Sequence, residues 1–125
     1  MLRSDTLISS AGRWFLQSGI QEAHGGVARY YRSDLAKNAT VSTEITGYTV
    51  SALLFLYDRT QCVDYLEAGL SGARFLTRTA WDSALGIFPF EYSADGPAPS
   101  ALSYFFDSGI IVRSLLAAWV ASNET

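Results

Sequence analysis

The chain has 125 residues, enough for one domain. Apolar residues make up 49% and charged residues 17%, a balance rich in core and thin in surface charge. The net charge of −3 comes without a basic cluster, which argues against nucleic acid or an anionic membrane surface as a partner.

The single cysteine, Cys62, rules out a disulfide framework and fits a reducing, cytoplasmic compartment. The opening Met-Leu-Arg-Ser-Asp-Thr lacks an apolar core, so no signal peptide is expected. No run of about 18 apolar residues is read as a membrane span. The sequons at Asn38 and Asn123 are expected to be chance matches.

In chain order, residues 4–18 read as an amphipathic helix. Leu7, Ile8, Ala11, Trp14 and Phe15 form one stripe of a 3.6-residue period. Ser4 or Asp5 can cap this helix, and Gly19 ends it. Residues 19–42 form a long connection with a turn at Gly25-Gly26 and a short extended piece near Val27 to Tyr31. Its aromatics argue against disorder.

Residues 43–58 read as a helix that is apolar on nearly every side and therefore interior. Asp58-Arg-Thr-Gln turns the chain into a helix over 61–79, with Val63, Leu66, Leu70, Ala73 and Thr77 on its apolar stripe. Residues 80–102 form a second long connection, including Asp95-Gly-Pro-Ala-Pro. A last interior helix is expected over about 103–122. With antiparallel helices, both long connections fall at one end.

The two halves align. At an offset of 60, Gly12 meets Gly72, Phe15 meets Phe75 and Gly26 meets Gly86. Two residues further on in offset, Gly47 meets Gly109, Val50 meets Val112, and Leu53-Leu54 meet Leu115-Leu116. The chain is thus read as one all-α domain or domain fragment over 1–125, with repeats over about 4–60 and 61–122.

Paired outer amphipathic and inner apolar helices, about 60 residues per pair, resemble the (α/α) toroids. These include the six-hairpin glycosidases, the sugar 2-epimerases, and the terpene-cyclase and prenyltransferase barrels. The resemblance implies a partial barrel of two αα-hairpins. It also implies a pocket where the inner helices begin, and a carbohydrate-active or sugar-binding role. The competing reading is a non-catalytic helical-repeat interaction module or a truncated fragment of a larger enzyme. A terpenoid-cyclase or prenyltransferase role is a weaker third, since neither the Asp-rich signature nor a zinc set is present.

Glu44 and Asp107 open the two inner helices and are the candidate catalytic carboxylates, as two acids at one end can do acid–base sugar chemistry. The plain alternative is that each complements a helix N-terminus. His24, the one histidine, is a candidate general base. Arg29 is a candidate polar partner for substrate, and Tyr30, Tyr48, Trp81 and Tyr104 are candidate stacking surfaces. One histidine and one cysteine cannot build a zinc site, so no metal or cofactor is expected. The apolar inner helices need covering, so self-association or missing hairpins from a longer chain are expected, alongside a carbohydrate ligand.

Overall fold

The computed structural model describes residues 4–93 and 102–123. Asp95-Gly-Pro-Ala-Pro lies outside the described residues. Among the described residues there are four α-helices: α1 (Ser4–Gln17), α2 (Thr43–Thr60), α3 (Val63–Phe75) and α4 (Phe105–Ser122). A π-helical turn, Leu76–Ala80, extends α3. Each expected helix is present within a few residues of its expected bounds.

The connections are not structureless. Residues 19–42 carry β1 (Val27–Ala28), β2 (Tyr31–Arg32), β3 (Lys37–Asn38) and β4 (Val41–Ser42). The second connection carries β5 (Glu91–Tyr92). β1, β4 and β5 form one antiparallel sheet in that order, and β2 pairs with β3 in another. The all-α expectation, and with it the reading as two αα-hairpins of an (α/α) toroid, therefore does not hold: the fold is mixed. The cause is backbone hydrogen bonding. A long connection folded against a helix end must find partners for its buried N–H and C=O groups, and antiparallel pairing supplies them. Val41 sits between Ala28 and Tyr92, and Ser42 between Val27 and Glu91.

The sheet is fastened to the helices. The Val27 N–H donates to Thr46 Oγ1 at 2.9 Å, inside α2. Gln21 Nε2 donates to the Gly25 carbonyl and to the Ala68 carbonyl of α3, both at 3.0 Å. Gly25 adopts φ +98°, and a Cβ there would collide with the Ser71 carbonyl. Only glycine fits that turn, for both reasons.

α2 is the axis of the molecule. It packs on α3 and on α4. Ser42 caps it, its Oγ accepting from the Ile45 N–H at 3.2 Å. Gln61 ends it in the left-handed conformation, φ 58°. Val50, Leu54, Phe75, Leu76 and Ile111 are buried together in the core. Each such side chain stabilises the fold by roughly 1.5–3 kcal/mol. A Cβ on Gly47 would lie 3.3 Å from the Ile111 Cα, so the glycine lets α4 approach closely.

α1 and α4 are less well covered. Gly12 is the one buried residue of α1, while Leu7 and Trp14 are exposed. The apolar stripe of α1 borders a groove of about 390 Å³ against α2. α4 buries Asp107, Ile111, Ser114 and Ala118 and leaves most of its apolar surface bare. Sequence inspection finds no membrane-length apolar run, yet α4 is long and apolar enough, by length and composition, to cross a membrane.

Candidate functional site

The sheet brings four segments to one end of α2. Thr43 stands at the first turn of α2, where its N–H donates to the Phe90 carbonyl at 3.3 Å and its hydroxyl to the Pro89 carbonyl at 2.7 Å. The Phe90 N–H donates to the Leu102 carbonyl at 2.7 Å, which ties β5 to the approach of α4. Arg29, just after β1, donates its backbone N–H to Thr40. The starts of α2 and α4, the end of β1 and the strand β5 therefore meet.

Glu44 and Asp107 are both at this end, and the charge of Asp107 acts on Glu44. Burial is the main cause holding the Glu44 carboxyl above its ordinary range; the negative charge of Asp107 pushes the same way and Arg29 opposes. Burial likewise raises Asp107, again against Arg29. A helix N-terminus favours negative charge, so two carboxyls held towards their neutral forms there are not explained by helix complementarity. Capping does not explain Glu44 either, because Ser42 already caps α2.

Asp107 is the sharpest feature. It is 6% exposed, and its Oδ2 has no hydrogen-bond partner among the described residues. A buried acceptor left unsatisfied costs roughly 1–3 kcal/mol. Tyr104, three residues earlier, offers α4 no side-chain cap; its ring meets Phe90 edge-on at 5.3 Å. Tyr48, one turn after Glu44, is exposed.

Arg29 is the cation of the site. Its guanidinium lies 2.9 Å from Glu91 and 4.3 Å from the centre of the Phe90 ring. Of the sequence candidates, Glu44, Asp107 and Arg29 are thus brought together, with Tyr104 at the edge through Phe90. Glu91 is not among the sequence candidates: it reaches Arg29 only because β5 pairs with β4, 49 residues away from it in sequence (Ser42 against Glu91). The alternation Phe90-Glu91-Tyr92 was the one local sign of a strand.

The other candidates stand elsewhere. His24 stacks on Phe75 at 4.8 Å, meets Tyr92 edge-on at 5.7 Å, and accepts from the Gly26 N–H at Nδ1. These contacts hold the Gly25 turn onto the core. Tyr30 is exposed beside the β2–β3 ribbon, where Ala39 donates to its carbonyl. Trp81 packs on Phe88 at 4.8 Å and borders a cleft with Thr77, Val112 and Leu115. Four grooves run along the helices, and neither acid lines them. Among the described residues no three His, Cys, Asp or Glu side chains gather as metal ligands.

No protein-family model matches this chain, and no curated protein matches it. With both connections paired into sheets, nothing supports placing the chain among the six-hairpin glycosidases.

Proposed function

We propose that this protein binds a neutral, hydroxyl-rich small molecule of the sugar class where α2 and α4 begin. The observation that carries the reading is Asp107: a buried carboxyl with one oxygen unpartnered, beside a second carboxyl also held towards its neutral form. A ligand hydroxyl would give Oδ2 its missing partner. A neutral carboxyl can also donate to a ligand oxygen, so the pair offers both senses of hydrogen bond. Tyr104, and Tyr48 one turn into α2, give flat apolar faces of the kind that pack on sugar rings. Neutral ligands are favoured over anionic ones, because the acids outnumber the single cation, Arg29, and Glu91 already engages it. The same two carboxyls carry the equipment of a general acid and base, should the ligand be turned over.

The test is a titration followed by backbone-amide NMR, using neutral mono- and oligosaccharides. Shifts confined to residues around Glu44, Asp107 and Tyr104 are expected. Asp107→Asn should weaken binding at least about tenfold, a loss of about 1.4 kcal/mol, while the fold is kept. Unchanged affinity in that variant, or no response to any neutral saccharide, would overturn the proposal.

A further inference from the structure

α2 and α4 carry the same stripe of residues, and only one copy of it is covered. In α2 the stripe is Gly47, Val50 and Leu54; in α4, at a constant offset of 62, it is Gly109, Val112 and Leu116. α3 and α4 together cover the first stripe: Val50 is 0% and Leu54 7% exposed, a Cβ on Gly72 or Gly69 of α3 would meet Val50 or Leu54, and a Cβ on Gly47 would meet Ile111 of α4. Among the described residues the second stripe is left open: Val112, at the rim of the Trp81 cleft, is 50% and Leu116 58% exposed, and a Cβ on Gly109 would meet no atom within 4 Å. The spacing i, i+3, i+7 puts all three on one helix face. Phe105 and Trp119 continue that face in both directions and are exposed.

The buried face of α4 has a counterpart as well. Ile111, Ser114 and Ala118 are the buried face of α4. At the same offset they correspond to Thr49, Ala52 and Leu56 of α2. These three line the open groove between α1 and α2, on the opposite flank of α2 from α4. The groove has no charged residue in its lining. α4 itself carries only Asp107 and Arg113, and Asp107 is turned inward. The molecule therefore has an uncovered receiving face and, elsewhere, an uncovered seating face of the kind that fits it.

We propose that a second copy of this chain seats its α1–α2 face on the bare stripe of α4, as α3 and α4 together seat on the stripe of α2 within one copy. The contact is head-to-tail, so each copy keeps one face of each kind free. Such contacts close into rings or run on as open chains according to the rotation between copies. The exposed apolar side chains of α4 present on the order of 700 Å², close to the roughly 800 Å² per partner of a standard interface. This proposal stands apart from the ligand site, since none of Glu44, Asp107 and Arg29 belongs to either face.

The experiment is light scattering on the full chain over a range of concentrations, with Leu116→Glu and Ala52→Glu, two substitutions at exposed positions. The wild-type protein should form species larger than a dimer as concentration rises. Each variant alone should be monomeric, with its melting temperature nearly unchanged. Mixed in equal amounts, the two variants should form a dimer and stop there, because one intact face of each kind remains. A wild-type chain monomeric up to about 100 μM, weaker than most specific interfaces, would overturn the proposal. So would assembly of Ala52→Glu alone, with only Leu116→Glu breaking it, which marks a symmetric α4–α4 contact. Binding of the monomer to phosphatidylcholine vesicles in place of assembly would give the stripe to a membrane and also overturn it.

Discussion

α2 begins inside the sheet, whereas α4 begins at its edge. At the start of α2, Ser42 caps the helix, Thr43 bonds the Pro89 carbonyl, and Thr46 accepts from Val27 while donating to the Ser42 carbonyl at 2.7 Å. All three side chains are buried and partnered. At the start of α4, Tyr104 gives no side-chain cap, Phe105 and Phe106 are exposed, and Asp107 is buried with Oδ2 unpartnered. The first opening is finished by the protein's own groups. The second is left one partner short, next to a carboxyl from the first. That contrast separates the part of this end that holds the fold from the part able to receive something else.

The contrast breaks most severely at Thr46. Thr46→Val keeps the shape and removes the hydroxyl, leaving the buried Val27 N–H without its acceptor. A loss of about 2 kcal/mol is expected, within the usual range of 1–3 for a stranded buried donor. Chemical denaturation measures it, and amide exchange should show β1 opening first. A loss under about 0.5 kcal/mol, the size of an ordinary surface change, would mean the sheet does not depend on this bond.

Asp107 should respond in the opposite direction. Asp107→Asn removes the charge that burial opposes and should raise stability at neutral pH by on the order of 1 kcal/mol. The sign follows from linkage. The folded state holds the Asp107 carboxyl above its ordinary value, so the folded state binds the proton more tightly than the unfolded state. The stability this contributes is full below the unfolded-state value and is lost as pH rises through the folded one. The advantage of the variant should therefore appear as pH climbs out of the ordinary aspartate range and vanish in more acidic solution. Melting curves of both proteins across that range decide it; a constant offset at every pH would exclude the titration of Asp107 as the cause.

The helices were legible because burial repeats along them. Val50, Leu53 and Leu54, or Ile111, Ser114 and Ala118, recur at helical spacing, and no distant partner is needed to see it. The strands were not legible. Each has two residues, too few for alternation to show, and β2 and β3 are mostly exposed. Their register comes from pairings such as Val41 with Tyr92, which local pattern does not encode. The same limit divides the site. Glu44 and Asp107 could be paired because both open apolar helices. The Arg29–Glu91 contact could not, since it exists only through β5. His24 shows the limit of reading chemistry from residue type: as the one histidine it draws attention, and the fold spends it on Phe75, Tyr92 and the Gly26 N–H.

Arg29 joins the two openings, and its removal sharpens the comparison at smaller cost. Arg29→Met loses a partly exposed ion pair and a contact with the Phe90 face, together about 1 kcal/mol. The informative readout is titration by NMR. Arg29 lowers both Glu44 and Asp107 against the effect of burial, so both carboxyls should titrate at higher pH in the variant. If neither moves, Arg29 serves Glu91 and Phe90 alone and is no part of the acid pair.

Glu44→Gln should have the smallest effect on the fold. Ser42 caps α2, so the substitution removes no cap. The favourable interaction of a carboxylate with a helix N-terminus is worth about 0.3–1 kcal/mol. Burial and the neighbouring Asp107 charge oppose that gain, and the raised titration of Glu44 shows that the opposing causes win. The net change at neutral pH should therefore lie within about 0.5 kcal/mol of zero, on the stabilising side. Asp107 should titrate as before, since burial and Arg29 are what set its shift. Thermal melting and side-chain carboxyl NMR on the same sample measure the two effects together. A clear destabilisation would make Glu44 a helix-supporting group and separate the two acids, leaving the unpartnered oxygen of Asp107 to account for the site alone.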